Sequence, residues 1–358
     1  MNKWLVVAGF VVAAFCDGCS TDFDLNADFK ETPVIYALLD ASVDTQFIRI
    51  NRAFLNDDVD AITMAAFSDS IYYGDELIVS IEEYNNGSFI TTYPVQRVDG
   101  DTLGIPKQGG LFANSPNILY RFIADLDYTH SYKIIAENIE TGITVSAETA
   151  LVDSFAITRP DDEGIFPQNF SVSPQGIYQL RWKTAQDAKI YDVALRFHYR
   201  EGTYFPDGDS IHYTNAGAID WKIESNYTTE TTNGGLTVTY NVDGASFYSF
   251  IESNFDPVDD LYFIRIADSI QFIIDAGGNE LFNYFEYNNA TLGITEGQIS
   301  DAYTNVNGGL GILSSRFHKE GKIYTLSTQT RDSIACSSVT SGLNFAPNVT
   351  TPGFPYCE

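Results

Sequence analysis

The chain has 358 residues, 48 acidic against 20 basic, and a formal net charge of −28. A surface so negative repels nucleic-acid phosphates and anionic lipid headgroups, which argues against nucleic-acid binding, while 44% hydrophobic residues argue against disorder. At about 100–200 residues per domain the length predicts two or three domains with sizeable cores, and 22 Tyr and 25 Phe among abundant Thr, Ile and Val favour strands.

Residues 1–24 open with Lys3 and an apolar run over 4–15, too short for a stable membrane span. Gly18 precedes Cys19, and an acidic, turn-prone stretch follows. The segment resembles a bacterial lipoprotein signal, in which the cysteine after the cut is acylated. On that resemblance residues 1–18 are a signal peptide, Cys19 carries the lipid, and residues 19–30 are a lipidated tether. Cys16 is the rival site, disfavoured by the bulky Phe15 before it; a plain secretory leader with incidental cysteines is the bland alternative. Asp22, Asp24, Asn26 and Asp28 alternate like the start of a calcium loop. The central glycine and closing glutamate of an EF-hand are missing, so a solvated spacer is expected. Ser20-Thr21-Asp22-Phe23-Asp24 is similar to surface-export signals of Bacteroidota lipoproteins, which implies a cell-surface, outer-membrane address.

Residues 33–54 predict two strands joined by a turn at 40–44, the second alternating around Phe47, Ile48 and Ile50. Residues 55–70 predict a loop or short helix. Residues 76–84 predict a strand with Leu77, Val79 and Ile81 on one face; Asn85-Asn86-Gly87 predicts a hairpin turn into a partner over 89–98. Strands are also expected over 117–124, 131–138 and 143–149, the last two joined by a turn at Glu140-Thr141-Gly142. This series predicts an N-terminal β-sandwich over 31–157. Residues 159–164, with Pro160 and Gly164, read as a linker.

Residues 177–200 then predict a strand, a turn and a long strand. Trp182 followed by Tyr191 and alternating Val193, Leu195, Phe197 and Tyr199 resembles the B–C region of fibronectin-III-like sandwiches. Period 2 puts Asp192, Arg196, His198 and Arg200 on the opposite face. Further strands are expected over 217–223, 236–241, 261–267 and 269–275, and short helices over 245–255 and 279–287. The fold class expected is all-β: two Ig/fibronectin-III-like β-sandwich domains, the second over 158–335 with short helical insertions. Cys336 and Cys357 predict a disulfide that pins the tail over 336–358, as an even pair outside the cytoplasm does.

Chemistry is harder to find. The four histidines, 130, 198, 212 and 318, fall at no metal-ligand spacing, and neither a GxSxG elbow, a P-loop nor a dinucleotide fingerprint occurs. A glycosidase carboxylate pair is not locatable among so many acids. Acidic loops at 56–60 and 207–209 read as solvated turns rather than calcium sites. No catalytic residue, metal or cofactor is therefore expected. The resemblance to Bacteroidota lipoproteins implies O-glycosylation at Asp-Ser/Thr-aliphatic tripeptides, here at Ser70, Thr102, Ser210, Ser269 and Ser333, against the bland reading that Asp-Ser starts a strand.

The most specific stretch is 303–316. Gly308, Gly309 and Gly311 imply positive φ or close backbone approach. With Asn305 and Asn307 they form either a partner contact or a structural turn. Residues 305–312 resemble the late Asn-x-x-Gly-Gly-x-Gly motif of an uncharacterised family of Bacteroidota surface lipoproteins, with Leu313 where that family carries an aromatic. Residues 33–39 and 48–52 are similar to its first two strands, and 146–149 to the end of its first domain. That family is often encoded beside TonB-dependent outer-membrane receptors. The resemblance implies a non-catalytic outer-membrane lipoprotein, an accessory or ligand-binding subunit of a β-barrel complex such as a TonB-dependent receptor or the barrel-assembly machinery. It would take a glycan or peptide ligand. A free-standing surface glycan-binding protein is the alternative, and a hydrolase ranks third.

Overall fold

The computed structural model describes residues 31–53, 61–164, 168–208, 210–291 and 303–347, and it is all-β, with short helices between strands. The signal, the tether with Cys19, and Cys357 lie outside the described residues. In the first half the strands are β1 (Pro33–Asp40), β2 (Thr45–Arg52), β3 (Leu77–Asn85), β4 (Ser88–Pro94), β5 (Gln96–Asp99), β6 (Ile118–Ile123), β7 (Ser131–Asn138) and β8 (Thr144–Ala150), with helices α1 (Ala61–Ala65) and α2 (Ser68–Ile71) between β2 and β3. The period-2 pattern buries Ile35, Ala37 and Leu39 on β1, Ile48 and Ile50 on β2, and Leu77, Val79 and Ile81 on β3. Asn86 and Gly87 take φ of 47° and 78°, the conformation a tight hairpin needs. The expected strand over 89–98 divides at Pro94: β4 stays with β3, whereas β5 crosses to β6. Proline has no N–H to continue the ladder.

The second half holds β9 (Ile157–Arg159), β10 (Asn169–Phe170), β11 (Ile177–Lys183), β12 (Ala188–Phe205), β13 (Ser210–Thr228), β14 (Thr237–Asp243), α3 (Gly244–Asn254), β15 (Phe263–Gly278), α4 (Asn279–Thr291), β16 (Leu310–Leu326) and α5 (Thr328–Cys336). The two strands expected over 261–275 are one, β15. Helix α5, capped by the Ser327 side chain accepting from Thr330 N, has no counterpart in the sequence reading. The expected linker is not free chain: β9 pairs with β11, and buried Asp162 accepts from Lys322 N at 3.0 Å and from the Tyr324 hydroxyl at 2.6 Å. Burial and then Asp162 push the Tyr324 phenol upward.

Three sheets result. One runs β4-β3-β7-β8 and another β14-β11-β9; the third is continuous, β13-β12-β15-β16-β1-β2-β6-β5, with β10 on β16. The first core lies between β1, β2 and β6 on one side and β3, β7 and β8 on the other. The second is built around Trp182, Phe197, Phe247 and Phe272. Strand β16 joins them. Its first part pairs in parallel with β1 and its second with β15 and β10. Its inward residues pass from Leu313 in the first core to Phe317 in the second. Sequence alone groups 303–316 with the second unit; Val306 and Leu313 instead join the first core, because β16 satisfies the hydrogen-bonding edge of β1.

Candidate functional site

Where the two halves of the large sheet meet, α4 lies across its outer face. Gly277 and Gly278 allow this approach: a Cβ on Gly277 would stand 2.8 Å from Leu281 and 2.9 Å from Ile190, and one on Gly278 would stand 3.1 Å from Ser314 Oγ. Ser314 Oγ in turn accepts from Leu281 N at 3.2 Å, which fixes the first turn of the helix. Its neighbour Ser315 points inward, donating to Ala150 O at 2.8 Å and accepting from Val152 N at 2.9 Å.

Two concavities, each of about 470 Å³, flank α4 and share Leu38, Leu281, Phe285 and Arg316. The one over β1 and β2 is aromatic and aliphatic, with Tyr36, Phe47, Ile312 and Tyr284 among its walls. Tyr36 meets Tyr284 edge-on at 6.5 Å, and Tyr284 meets Phe285 at 6.2 Å. Burial, then Tyr284, raises the Tyr36 phenol, so it stays neutral. The other concavity, over β12 and β15, sets Asp192, Lys222, Asn226 and Asp275 beside Ile190, Ala276 and the shared apolar residues.

The mouth is rigid. Asp40 Oδ1 accepts from Ser42 N at 3.0 Å and from Ser42 Oγ at 2.5 Å. Gln46 donates to Asp40 O and Val43 O and accepts from Asp40 N, so the β1–β2 turn is closed by its own side chains. Asp40 Oδ2 stands 3.3 Å from Arg316 Nε. Beyond the groove the outer face is a charged ladder. Arg196 holds Asp220 with two hydrogen bonds at 2.8 and 2.9 Å, Arg200 holds Asp268 likewise at 2.6 Å, and His318 Nδ1 lies 2.6 Å from Asp275. The Arg196 hydrogen bond lowers the Asp220 carboxyl below its ordinary range, and burial, then Arg196, lowers His198.

The residues singled out from sequence fall elsewhere. Asn305 imitates a strand: its Nδ2 donates to Leu313 O at 2.7 Å and its Oδ1 accepts from Leu313 N at 2.9 Å. Asn307 exchanges backbone hydrogen bonds with Ser146 on β8. Gly308 and Gly311 have φ of 78° and 101°, and a Cβ on Gly309 would stand 2.6 Å from Pro33 O. The run is a structural turn that admits β16 beside β1. Of the glycosylation candidates, only Ser210 begins a strand; Ser269 lies within β15, Ser70 and Ser333 in α2 and α5, and Thr102 in a 3-10 turn (Gly100–Leu103) with its hydroxyl donating to Asp99 O. Thr102 and Ser210 are exposed, the other three half-buried. Cys336 ends α5, and the acidic loop at 56–60 lies outside the described residues.

Among the described residues no group of three His, Cys, Asp or Glu could hold a metal, and no helix is long and apolar enough to cross a membrane. Sequence reasoning missed the groove. Its signals were Gly277-Gly278 directly before a helix and Ser314-Ser315 inside an apolar strand. Compared with known proteins, the chain matches no family model and no curated protein.

Proposed function

We propose that this chain is a lipid-anchored protein of the outer-membrane surface that binds a ligand in the groove under α4, as an accessory or ligand-binding subunit of a β-barrel complex. The groove carries the reading. A concavity of about 470 Å³ is within the range of small-molecule sites, about 300–1,000 Å³, and hydrogen bonds tie both the β1–β2 turn and the first turn of α4 at its walls. The address rests on the leader and on the resemblance to surface lipoproteins encoded beside TonB-dependent receptors; Cys19 carries the lipid, and Cys336 pairs with Cys357. Strand order supports Ig-type and fibronectin-III-type units: β1-β2-β6-β5 facing β4-β3-β7-β8, and β14-β11-β9 facing β13-β12-β15-β16.

The test is recovery from outer membranes in mild detergent. Tagged protein should bring down a large β-barrel in near-equal amount, through an interface of about 1,200 Å² or more. Elution alone, even after crosslinking, sinks the accessory role and leaves a free-standing binding protein. Palmitate labelling lost in Cys19→Ala, and a Cys336–Cys357 peptide recovered without reductant, check the covalent proposals. A glycan ligand is the second reading, favoured by the exposed rings of Tyr36 (41%) and Phe285 (37%); a glycan array decides it.

A further inference from the structure

Arg316 is the feature of the groove that its apolar walls do not explain. It projects from β16 opposite Asp40 in the β1–β16 register, and its side chain is 54% exposed. Buried Asp40 Oδ2 approaches it at Nε, 3.3 Å away. Its Nη1 and Nη2 donate no hydrogen bond to a side chain or carbonyl among the described residues, and both concavities share this side chain. The other cation lining them, Lys222, is engaged by Asp192 at 3.0 Å. Asp275 is engaged by His318, and Asp192 Oδ1 accepts from Asn226 N. The unengaged N–H donors in the groove are therefore the free end of one guanidinium, beside a buried carboxylate and at the edge of an aromatic wall. A planar pair of N–H donors matches a carboxylate in two-point geometry.

We infer that the groove takes a small amphipathic carboxylate, its apolar body against Tyr36, Phe47, Tyr284 and Phe285 and its carboxylate on the Nη groups of Arg316. This rests on the groove being the ligand site proposed above. A free acid fits better than a peptide. A peptide's amides would need partners in the aromatic half, where polar side chains are few and Gln46 and Thr45 are committed. Gln46 bonds the backbone of Asp40 and Val43, and Thr45 Oγ1 donates to Asp44 at 2.8 Å. Amides left unpaired on burial would oppose binding.

The test is calorimetric titration of the full chain in neutral-lipid nanodiscs, against empty nanodiscs, with 4-phenylbutyrate, with the isosteric alcohol 4-phenylbutan-1-ol, and with the tripeptide Gly-Gly-Phe. The acid should bind about tenfold or more tighter than the alcohol, as a hydrogen bond to a charged group allows. Arg316→Gln should bring the acid down to the alcohol's affinity and leave the alcohol unchanged, and Arg316→Lys should restore only part, since an ammonium lacks the fork. Because Asp40 loses its partner in these variants, an unchanged alcohol affinity also reports that the groove is intact. Acid and alcohol binding equally overturns the role of Arg316 and leaves the groove reading standing. Neither binding overturns both. The tripeptide binding tighter than the acid overturns the free-acid assignment in favour of a peptide C-terminus.

Discussion

In the first core Ile35, Ile48, Ile50, Ile81 and Ile134 face one another across two sheets, and the polar groups at its rim converge on one carboxylate; in the second, rings meet rings around Trp182. Phe170 lies 4.7 Å from Tyr178, which stacks on Phe272 at 5.9 Å, and Phe170 meets Phe247 at 5.4 Å. The first core is closed by the borrowed strand β16, the second by the helices α3 and α5, which contribute Phe247, Tyr248, Ile251 and Ile334. The first core also buries Tyr73, Tyr120, Phe122 and Tyr132, but its rings are set among isoleucines, with Tyr93 and Phe122 meeting at 6.1 Å. A ring lattice needs each member in place, because edge-to-face contacts are directional.

The sharpest way to test this contrast is Trp182→Ala, which removes a fully buried indole from the second core. We expect a loss of about 3–5 kcal/mol in denaturant unfolding. Hydrogen exchange should show it first in β11 and β12, with β3 and β7 keeping their protection. Equal loss of protection in both halves would mean that β16 makes them one cooperative unit. Gly311→Ala attacks the first core from the other side. Its Cβ would run into Ile35 O, at a φ of 101° that side chains avoid. The cost should be about 2–4 kcal/mol from overpacking and strain, read as lost protection in β1 before β12.

The smallest effect is pH-dependent and confined to the first core. Glu83 is buried beside His130 Nδ1 at 2.6 Å and accepts from the Tyr93 and Tyr132 hydroxyls at 2.8 and 3.0 Å. Burial alone would raise its carboxyl, but these partners hold it below the ordinary glutamate range. A depressed folded pKa gives stability that is present above the unfolded value, about 4.3, and is lost as pH falls through the lower folded one. Glu83→Gln should therefore be less stable than the parent at neutral pH, with the gap closing in acid. A gap that stays constant from pH 7 to about 3 would show that the carboxylate's charge is not what matters there.

Much of the strand pattern was legible because it is local. Period 2 on β3 and β12 and the Asn86-Gly87 turn need no knowledge of distant chain. The division at Pro94 was not read, since only pairing shows that Gln96 answers Arg121 across a different sheet. The glycines at 308–311 announced close approach, but their partner, β1, lies far away in sequence. The groove left the faintest trace. Leu281 and Phe285 share a face of the expected helix over 279–287, but nothing in the spacing brings Arg316 to them; they meet because Gly277 and Gly278 let that helix fold back over β16.

The parallel β1–β16 pair also sets how the protein carries force. On the proposed anchor, tension from the membrane enters at the start of β1. The load of the second half leaves through the far end of β16. Seven register pairs, from Val34 with Leu310 to Asp40 with Arg316, lie between those points. Two parallel strands pulled from opposite ends slide rather than unzip, so all of these bonds resist together. A pull along that line would then be met by the pair as a whole rather than bond by bond.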